Sequence, residues 1–327
     1  TGIVGASVTI LGIMSAKTMN RSKYDVRLAA GTITAGGTLG ILIPPSIMLV
    51  VMGPILNVPV TDLFAAAIMP GLMLAVLYTG YTLIRCHLNP SLGPVVPDDL
   101  IPETMKEVWV EFFKGLVPPV LLVGSSLGSI LAGWATPTEG AAMGAVGAIV
   151  LTLAYRKLTF KSFREALLKT LEITTLIMIL VCASNFFGSV FSRLGTPTMI
   201  TEYLMLLDLP PTVLLLIIMA LIFLLAWPLE WVPIVLIIIP IILPLVEQLG
   251  FNLTWFGILV AVNLQTAWLS PPVALSAYFL KGVVPEWDLS DIYKGMMQFM
   301  VIQVVGLALI IIFPQIVLWL PTYLYGN

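Results

Sequence analysis

Two stretches decide how this chain folds. One is Ala35-Gly36-Gly37-Thr38-Leu39-Gly40-Ile41-Leu42-Ile43-Pro44-Pro45-Ser46, and the other is Asn263-Leu264-Gln265-Thr266-Ala267-Trp268-Leu269-Ser270-Pro271-Pro272. The first lies in a charge-free run over 28–61 and the second in one over 248–280. Both runs exceed the roughly 20 residues that cross a bilayer. Each proline pair removes backbone donors and clashes with the preceding turn, and Gly36, Gly37 and Gly40 lower helix propensity further. A helix carrying such a pair unwinds locally. Freed amides and carbonyls inside a membrane are tolerated only when buried in protein or lining a polar cavity. Taken alone, Pro44-Pro45 fits a packed kink as well as an ion or substrate site. Two such breaks in helices running in opposite directions fit inverted repeats, whose site lies near the midplane between the halves.

The rest of the chain agrees with a lipid surrounding. Of 327 residues, 59% are hydrophobic and 10% charged, against about a quarter charged in a soluble domain. Mean hydropathy is +1.06 over the whole length. Further charge-free runs cover 63–84, 115–138, 140–155, 173–192, 209–229, 231–246 and 295–327. The fold class expected is an all-α polytopic membrane protein. A net charge of −2 carries no basic stripe for nucleic acid, and His87, Cys86 and Cys182 show no metal spacing. A channel would want rings of charge or a continuous polar lining, which isolated polar residues at two breaks do not supply. An intramembrane enzyme would need a nucleophile and base or a metal, and the chain lacks the His and Cys for most of these; Ser270 or Ser7 with Glu230 is an imaginable set that nothing else in the sequence supports. The chain starts at Thr1 in an apolar, glycine-rich stretch, which reads as a truncation at the N-terminus.

Basic residues set the orientation. With Lys17, Arg21, Lys23 and Arg27 cytoplasmic, alternating crossings leave fourteen of the fifteen Lys and Arg residues on that side, Arg193 being the exception. This is the bias that membrane insertion produces. The segments expected are a hairpin leg 1–19, a broken helix 28–54 and a helix 62–86, forming the end of a first repeat (1–86). A cytoplasmic connector follows over 87–107. A second repeat (108–327) holds helices 108–135, 138–156 and 170–193, a hairpin 209–247, a broken helix 253–281 and a helix 291–320. Residues 157–169 alternate basic and apolar positions as an interfacial amphipathic helix does.

The segment 209–247 has Ala226-Trp227-Pro228-Leu229-Glu230 at its centre. As a re-entrant hairpin it buries Glu230 at a tip, where an acid is functional by default; as two full crossings it leaves Glu230 in a cytoplasmic turn. Thr136-Pro137-Thr138-Glu139 reads as a helix start, with Thr136 as N-cap, Pro137 at the first position and Glu139 closing a capping box.

Three motifs carry a family resemblance: AGGTLGILIPPS at 35–46, ATPTEG at 135–140 and NLQTAWLSPP at 263–272. With them the chain resembles, over essentially its whole length, the large membrane subunit of tripartite ATP-independent periplasmic (TRAP) transporters, in the branch often labelled for mannitol or chloroaromatic compounds. The resemblance implies an inverted-repeat, elevator-type transporter in a bacterial or archaeal inner membrane. It implies sodium-coupled uptake of a small organic acid, with a small four-helix membrane subunit and a periplasmic substrate-binding protein as partners and no cofactor besides sodium. Carried over, one sodium site uses Gly5, Ser7, Gly36, Gly37, Thr38 and Pro44, and the other Ala226, Pro228, Gln265, Thr266 and Ser270. Ser46, Glu230 and Asn263 would border the substrate. A single-subunit sodium/dicarboxylate symporter of the same architecture is the alternative. The family usually has Thr-Pro-Pro-Phe-Gly where this chain has Ser270-Pro271-Pro272-Val273-Ala274, and commonly an aspartate in place of Glu230.

Overall fold

The computed structural model describes residues 3–97, 104–271 and 274–326. Every regular element among them is helical. Six helices are long and apolar enough to cross a membrane, or seven when a bent pair is taken as one span. The chain is an all-α polytopic membrane protein.

The chain divides into two compact units, Thr1–Val95 with Ser184–Asn327, and Val96–Ala183. The first opens with α1 (Val4–Arg21) and α2 (Val26–Leu42), the latter capped by the Asp25 carboxylate accepting from the Leu28 amide at 2.9 Å. Helicity stops at Leu42 and resumes in α3 (Ile47–Leu56), bent by 44° from α2. The interruption falls at the prolines and not at the glycines before them. A glycine costs only about 1 kcal/mol in a helix, whereas proline removes a hydrogen bond and clashes. Next comes α4 (Val60–Leu88), then a short 3-10 turn at Pro90–Leu92. The rest of the expected connector includes 98–103, outside the described residues.

The second unit holds α5 (Met105–Leu131) and α6 (Pro137–Ala154). The capping box forms as the residues dictate: Thr136 Oγ1 accepts from the Glu139 amide, and Glu139 Oε2 accepts from the Thr136 amide at 2.8 Å. Ser126 Oγ donates to the Gly140 carbonyl at 2.6 Å, tying α5 to α6. Trp109, Phe112, Leu121, Met143 and Val150 are exposed, an apolar surface suited to lipid or a partner.

Helix α7 (Phe160–Arg193) runs unbroken for 34 residues. The interfacial helix expected over 157–169 is therefore not a separate element. No proline lies between 160 and 193, and Lys169 pairs with Glu172 at 2.9 Å across the expected boundary. At 1.5 Å per residue α7 measures roughly 50 Å, leaving basic turns beyond a span of about 30 Å.

Gly195, at φ 72°, ends α7, and Pro197 starts α8 (Thr196–Met205), which the apolar pattern did not anticipate. Then follow α9 (Pro211–Leu225), α10 (Trp231–Gln248, with a π segment at Ile234–Ile238), α11 (Leu253–Trp268) and α12 (Leu275–Val283). The closing helix expected over 291–320 is two, α13 (Leu289–Ile312) and α14 (Gln315–Tyr325). Pro314 divides them, because it has no amide for the turn before it.

The buried core of the first unit is built from α2, α4, α11 and α13, with Phe64, Phe256 and Phe299 fully enclosed. Three of its contacts have a matching partner, although the close packing of α1 on α2 has no equivalent between α10 and α11. α2 packs on α13 and α11 on α4; α2 packs on α4 and α11 on α13; α1 packs on α12 and α10 on α3. Exchanging α1–α4 for α10–α13 turns each member of these pairs into the other.

Candidate functional site

At the first break, Pro44 and Pro45 carry no amide hydrogen, so Gly40 and Ile41 lose their helical donors. Ser46 answers one of these losses: its hydroxyl donates to the Ile41 carbonyl, and the same oxygen accepts from the Leu49 amide at 3.4 Å as the cap of α3. The prolines leave the Gly40 carbonyl without its donor. Gly36, Gly37 and Thr38 remain inside α2, so their carbonyls stay in the helical ladder and the freed ones lie one turn later than the family carry-over puts them. The Thr38 hydroxyl donates back to the Ala35 carbonyl at 2.8 Å.

Gly37 has a different task. A Cβ there would sit 2.3 Å from Val8 Cγ2 and 3.1 Å from the Val8 amide nitrogen and Cα. The absent side chain lets α1 approach α2 backbone to backbone. Ser7 is buried beside this contact, and a Cβ on Gly5 would meet the Phe279 ring of α12 at 2.7 Å. The start of α1 is thus wedged between the first half of one broken helix and the second half of the other.

At the second break, α11 ends at Trp268 and α12 begins at Leu275. Pro272 and Val273 lie outside the described residues. The turn between α9 and α10 lies over this gap. Ala226, Pro228 and Glu230 from the turn and Ala267, Trp268 and Ala274 from the break line one cavity of about 240 Å³. Trp227 Nε1 donates to Ser270 Oγ at 2.9 Å, fastening turn to break. Glu230 is the exposed last residue of the turn. The turn meets the middle of the interrupted stretch α11–α12, but it does not enclose the Glu230 side chain as the expected hairpin tip would.

Ala274 adopts φ 34°, in the left-handed region, where a Cβ costs about 1–2 kcal/mol and glycine nothing. Ala274→Gly is expected to stabilise the protein by about 1 kcal/mol, the strain relieved being larger than the entropy glycine adds to the unfolded chain. Thermal unfolding in detergent measures it, and a lowered midpoint would show that the left-handed turn is not strained.

The structure separates the remaining candidates. Gln265 does not border the tip cavity; its Oε1 accepts from Gln303 Nε2 of α13 at 2.6 Å. Gln303 Nε2 also reaches the Val262 carbonyl at 3.1 Å, and Gln303 Oε1 accepts from the Tyr78 hydroxyl of α4. Gln265 and Gln303 are fully buried, and Gln265 Nε2 has no acceptor. Thr266 Oγ1 donates to the Val262 carbonyl at 3.3 Å. Asn263 Nδ2 donates to the Met219 carbonyl at 2.7 Å, joining α11 to α9. Tyr78 and Gln303 were missed in the sequence reading. Their polar groups in charge-free spans were the available mark, since polar side chains at membrane depth find partners or serve function.

The geometry can supply oxygen ligands to a hard cation, which prefers oxygen donors. At the first break the source is a carbonyl the prolines strip of its donor, and at the second the Ser270 hydroxyl beside the hairpin turn. Among the described residues no cluster of His, Cys, Asp and Glu could hold a metal ion.

Residues 1–316 match the sequence model of the family described as "Tripartite ATP-independent periplasmic transporter, DctM component". The sialic acid TRAP transporter large permease protein of Vibrio cholerae is 30% identical over 97% of this chain and 72% of its own length. The C4-dicarboxylate TRAP transporter large permease protein of Pseudomonas aeruginosa is 30% identical over 99% of this chain and 74% of its own. The 2,3-diketo-L-gulonate counterpart of Escherichia coli is 27% identical over 97% and 73%.

Proposed function

From the premise that this chain belongs to the DctM-component family of tripartite ATP-independent periplasmic transporters, we propose that it is the permease subunit of a sodium-coupled importer of a small organic acid. Its setting is then the inner membrane of a bacterium or archaeon. Its partners are a small membrane subunit and a periplasmic substrate-binding protein. The observation that carries the reading is the hairpin turn 226–230 lying on the second break and enclosing a cavity with it.

The paired packing of α1–α4 and α10–α13 supports inverted repeats, the design in which a midplane site is exposed to alternate sides. Sodium is cargo here. One ion is assigned to the first break, with Gly5 and Ser7 of α1 closing it from the side of Gly37 and Thr38. The other is assigned to Ala226, Pro228, Thr266 and Ser270. The oxygens of Gln265 and Ser270 already accept from Gln303 and Trp227, so each would use a remaining lone pair or give up that bond to hold the ion. The energetics favour a cation. Each negative charge brought into a cell with an inside-negative potential costs about 2.3 kcal/mol per 100 mV. Co-entry of sodium offsets that cost and adds the sodium gradient as driving force.

The test is uptake of labelled sialic acid, succinate and 2,3-diketogulonate into proteoliposomes holding the complete transporter, with the binding protein added. Uptake should require an inward sodium gradient; an undiminished rate without one overturns the coupling. Thr266→Val and Ser270→Ala should each raise the half-saturating sodium concentration while the protein still assembles. Unchanged sodium dependence in both would place the second ion elsewhere.

A further inference from the structure

A second and larger cavity, of about 650 Å³, opens between the end of α7, the start of α8 and the second half of α10. Its volume falls in the range of small-molecule sites, about 300–1,000 Å³. It shares no lining residue with the hairpin-tip cavity. Ser184, Asn185, Ser192, Arg193 and Thr198 give it a polar wall, and Pro240 and Pro244 stand on the α10 side.

Three observations give this wall a charge preference. First, Arg193 has no carboxylate at ion-pair distance among the described residues. It is the one basic residue that the charge bias places opposite the other fourteen, on the side where basic residues are otherwise avoided. Second, α8 begins here without any side-chain cap. Its first-turn amides therefore add partial positive charge to the same space. Third, Ser184 is only 4% exposed, lines the cavity, and its hydroxyl has no partner among the described residues. Its hydroxyl is not sealed in the core but open to the cavity, where it can donate to and accept from a ligand.

We propose that this cavity binds the transported organic anion, with the carboxylate held by Arg193 and the first turn of α8 and its other polar groups held by Ser184 and Asn185. The site serves as an outer station that the anion occupies before reaching the hairpin tip. Its role in transport rests on the import reading above; its occupancy does not.

Labelling of an introduced thiol tests it without a sodium gradient, so the two readings fail separately. Ser189 also lines the cavity. Ser189→Cys is placed in a protein whose Cys86 and Cys182 are replaced by alanine, assembled with its partner subunits in phosphatidylcholine vesicles. Ser192→Cys takes its place if that variant does not assemble. Sulfonatoethyl methanethiosulfonate should label about tenfold faster than the trimethylammonium reagent, as a positively charged cleft concentrates anions. Arg193→Gln should remove the preference. Sialic acid or succinate should slow labelling in the Arg193 protein and not in Arg193→Gln. Equal rates for the two reagents, or no protection by any carboxylate tried, overturns the proposal. Protection by phosphatidylglycerol in the vesicles but by no soluble carboxylate overturns it in favour of a lipid headgroup.

Discussion

Gly295→Leu should yield no stably folded protein. A Cβ on Gly295 would lie 2.1 Å from the Arg27 carbonyl oxygen and 3.0 Å from the Gly31 amide nitrogen. Reciprocally, a Cβ on Gly31 would lie 2.7 Å from the Gly295 carbonyl. Here α2 and α13 cross with their backbones in contact, the close approach that small residues permit inside membranes. The obstructing atoms are main chain, so no rotamer change can make room. Overpacking a core usually costs about 1–3 kcal/mol, and a leucine against backbone exceeds that range. The same crossing carries the Arg27–Asp291 ion pair at 2.9 Å, which a displaced α13 would also break. Gly80→Ala is the control. Nothing lies within 4 Å of its absent Cβ on α4, and alanine gains about 1 kcal/mol of helix propensity. Thermal unfolding by intrinsic fluorescence, with size-exclusion profiles, reads both. A monodisperse Gly295→Leu protein with an unchanged midpoint would mean that α2 and α13 do not cross there.

The second large effect is expected at Gln303. Gln303→Leu removes the acceptor of the Tyr78 hydroxyl and the donor to Gln265 Oε1 together. Gln265 Nε2 already lacks a partner, so Gln265 would be left fully buried with neither end satisfied. Hydrogen bonds between membrane helices average about 0.6 kcal/mol with a maximum near 1.7, but orphaning a buried group costs about 1–3 kcal/mol. The orphaning decides the magnitude, and Gln303→Leu should destabilise by roughly 2 kcal/mol. Gln265→Leu in the same protein should recover part of that, because it removes the second orphaned glutamine, while the Tyr78 hydroxyl stays without its acceptor. A double-mutant cycle in thermal or denaturant unfolding measures the coupling, and additive effects would show that the two side chains do not pair.

These two positions also mark the limits of what was legible. The proline pairs at 44–45 and 271–272 announced the breaks, because proline acts through its own missing donor and needs no neighbour to do so. The Thr136–Glu139 cap was readable for the same reason, its partners lying three residues apart. The family resemblance of motifs 35–46, 135–140 and 263–272 led to the family that the whole-chain match shows. The boundary drawn at 169 did not appear: from Phe160 these residues are helical and continue into α7, since a basic, periodic segment looks alike whether it stands apart or opens a span. The closing helix misled in the other direction, with Pro314 hidden in an unbroken apolar run.

The candidate site was legible in its parts and not in their grouping. Ala226, Pro228 and Glu230, which the resemblance divided between an ion site and the substrate, line one cavity, and Trp227 beside them bonds Ser270. Gln265, one residue before Thr266 and five before Ser270, turns toward α13 instead. Successive helical residues point about 100° apart, so sequence proximity to the break says little about which neighbour a side chain meets.

The sequence by itself determined that this chain lies in lipid, that two of its helices are interrupted, and which family it resembles. Each follows from composition or from local backbone chemistry. Only the tertiary structure decided where the glycines matter, which glutamine pairs with which, and that the 226–230 turn rests on the second break. Those facts depend on contacts between residues up to 274 positions apart, as Gly5 and Phe279 are, and on helix rotations that no local pattern specifies.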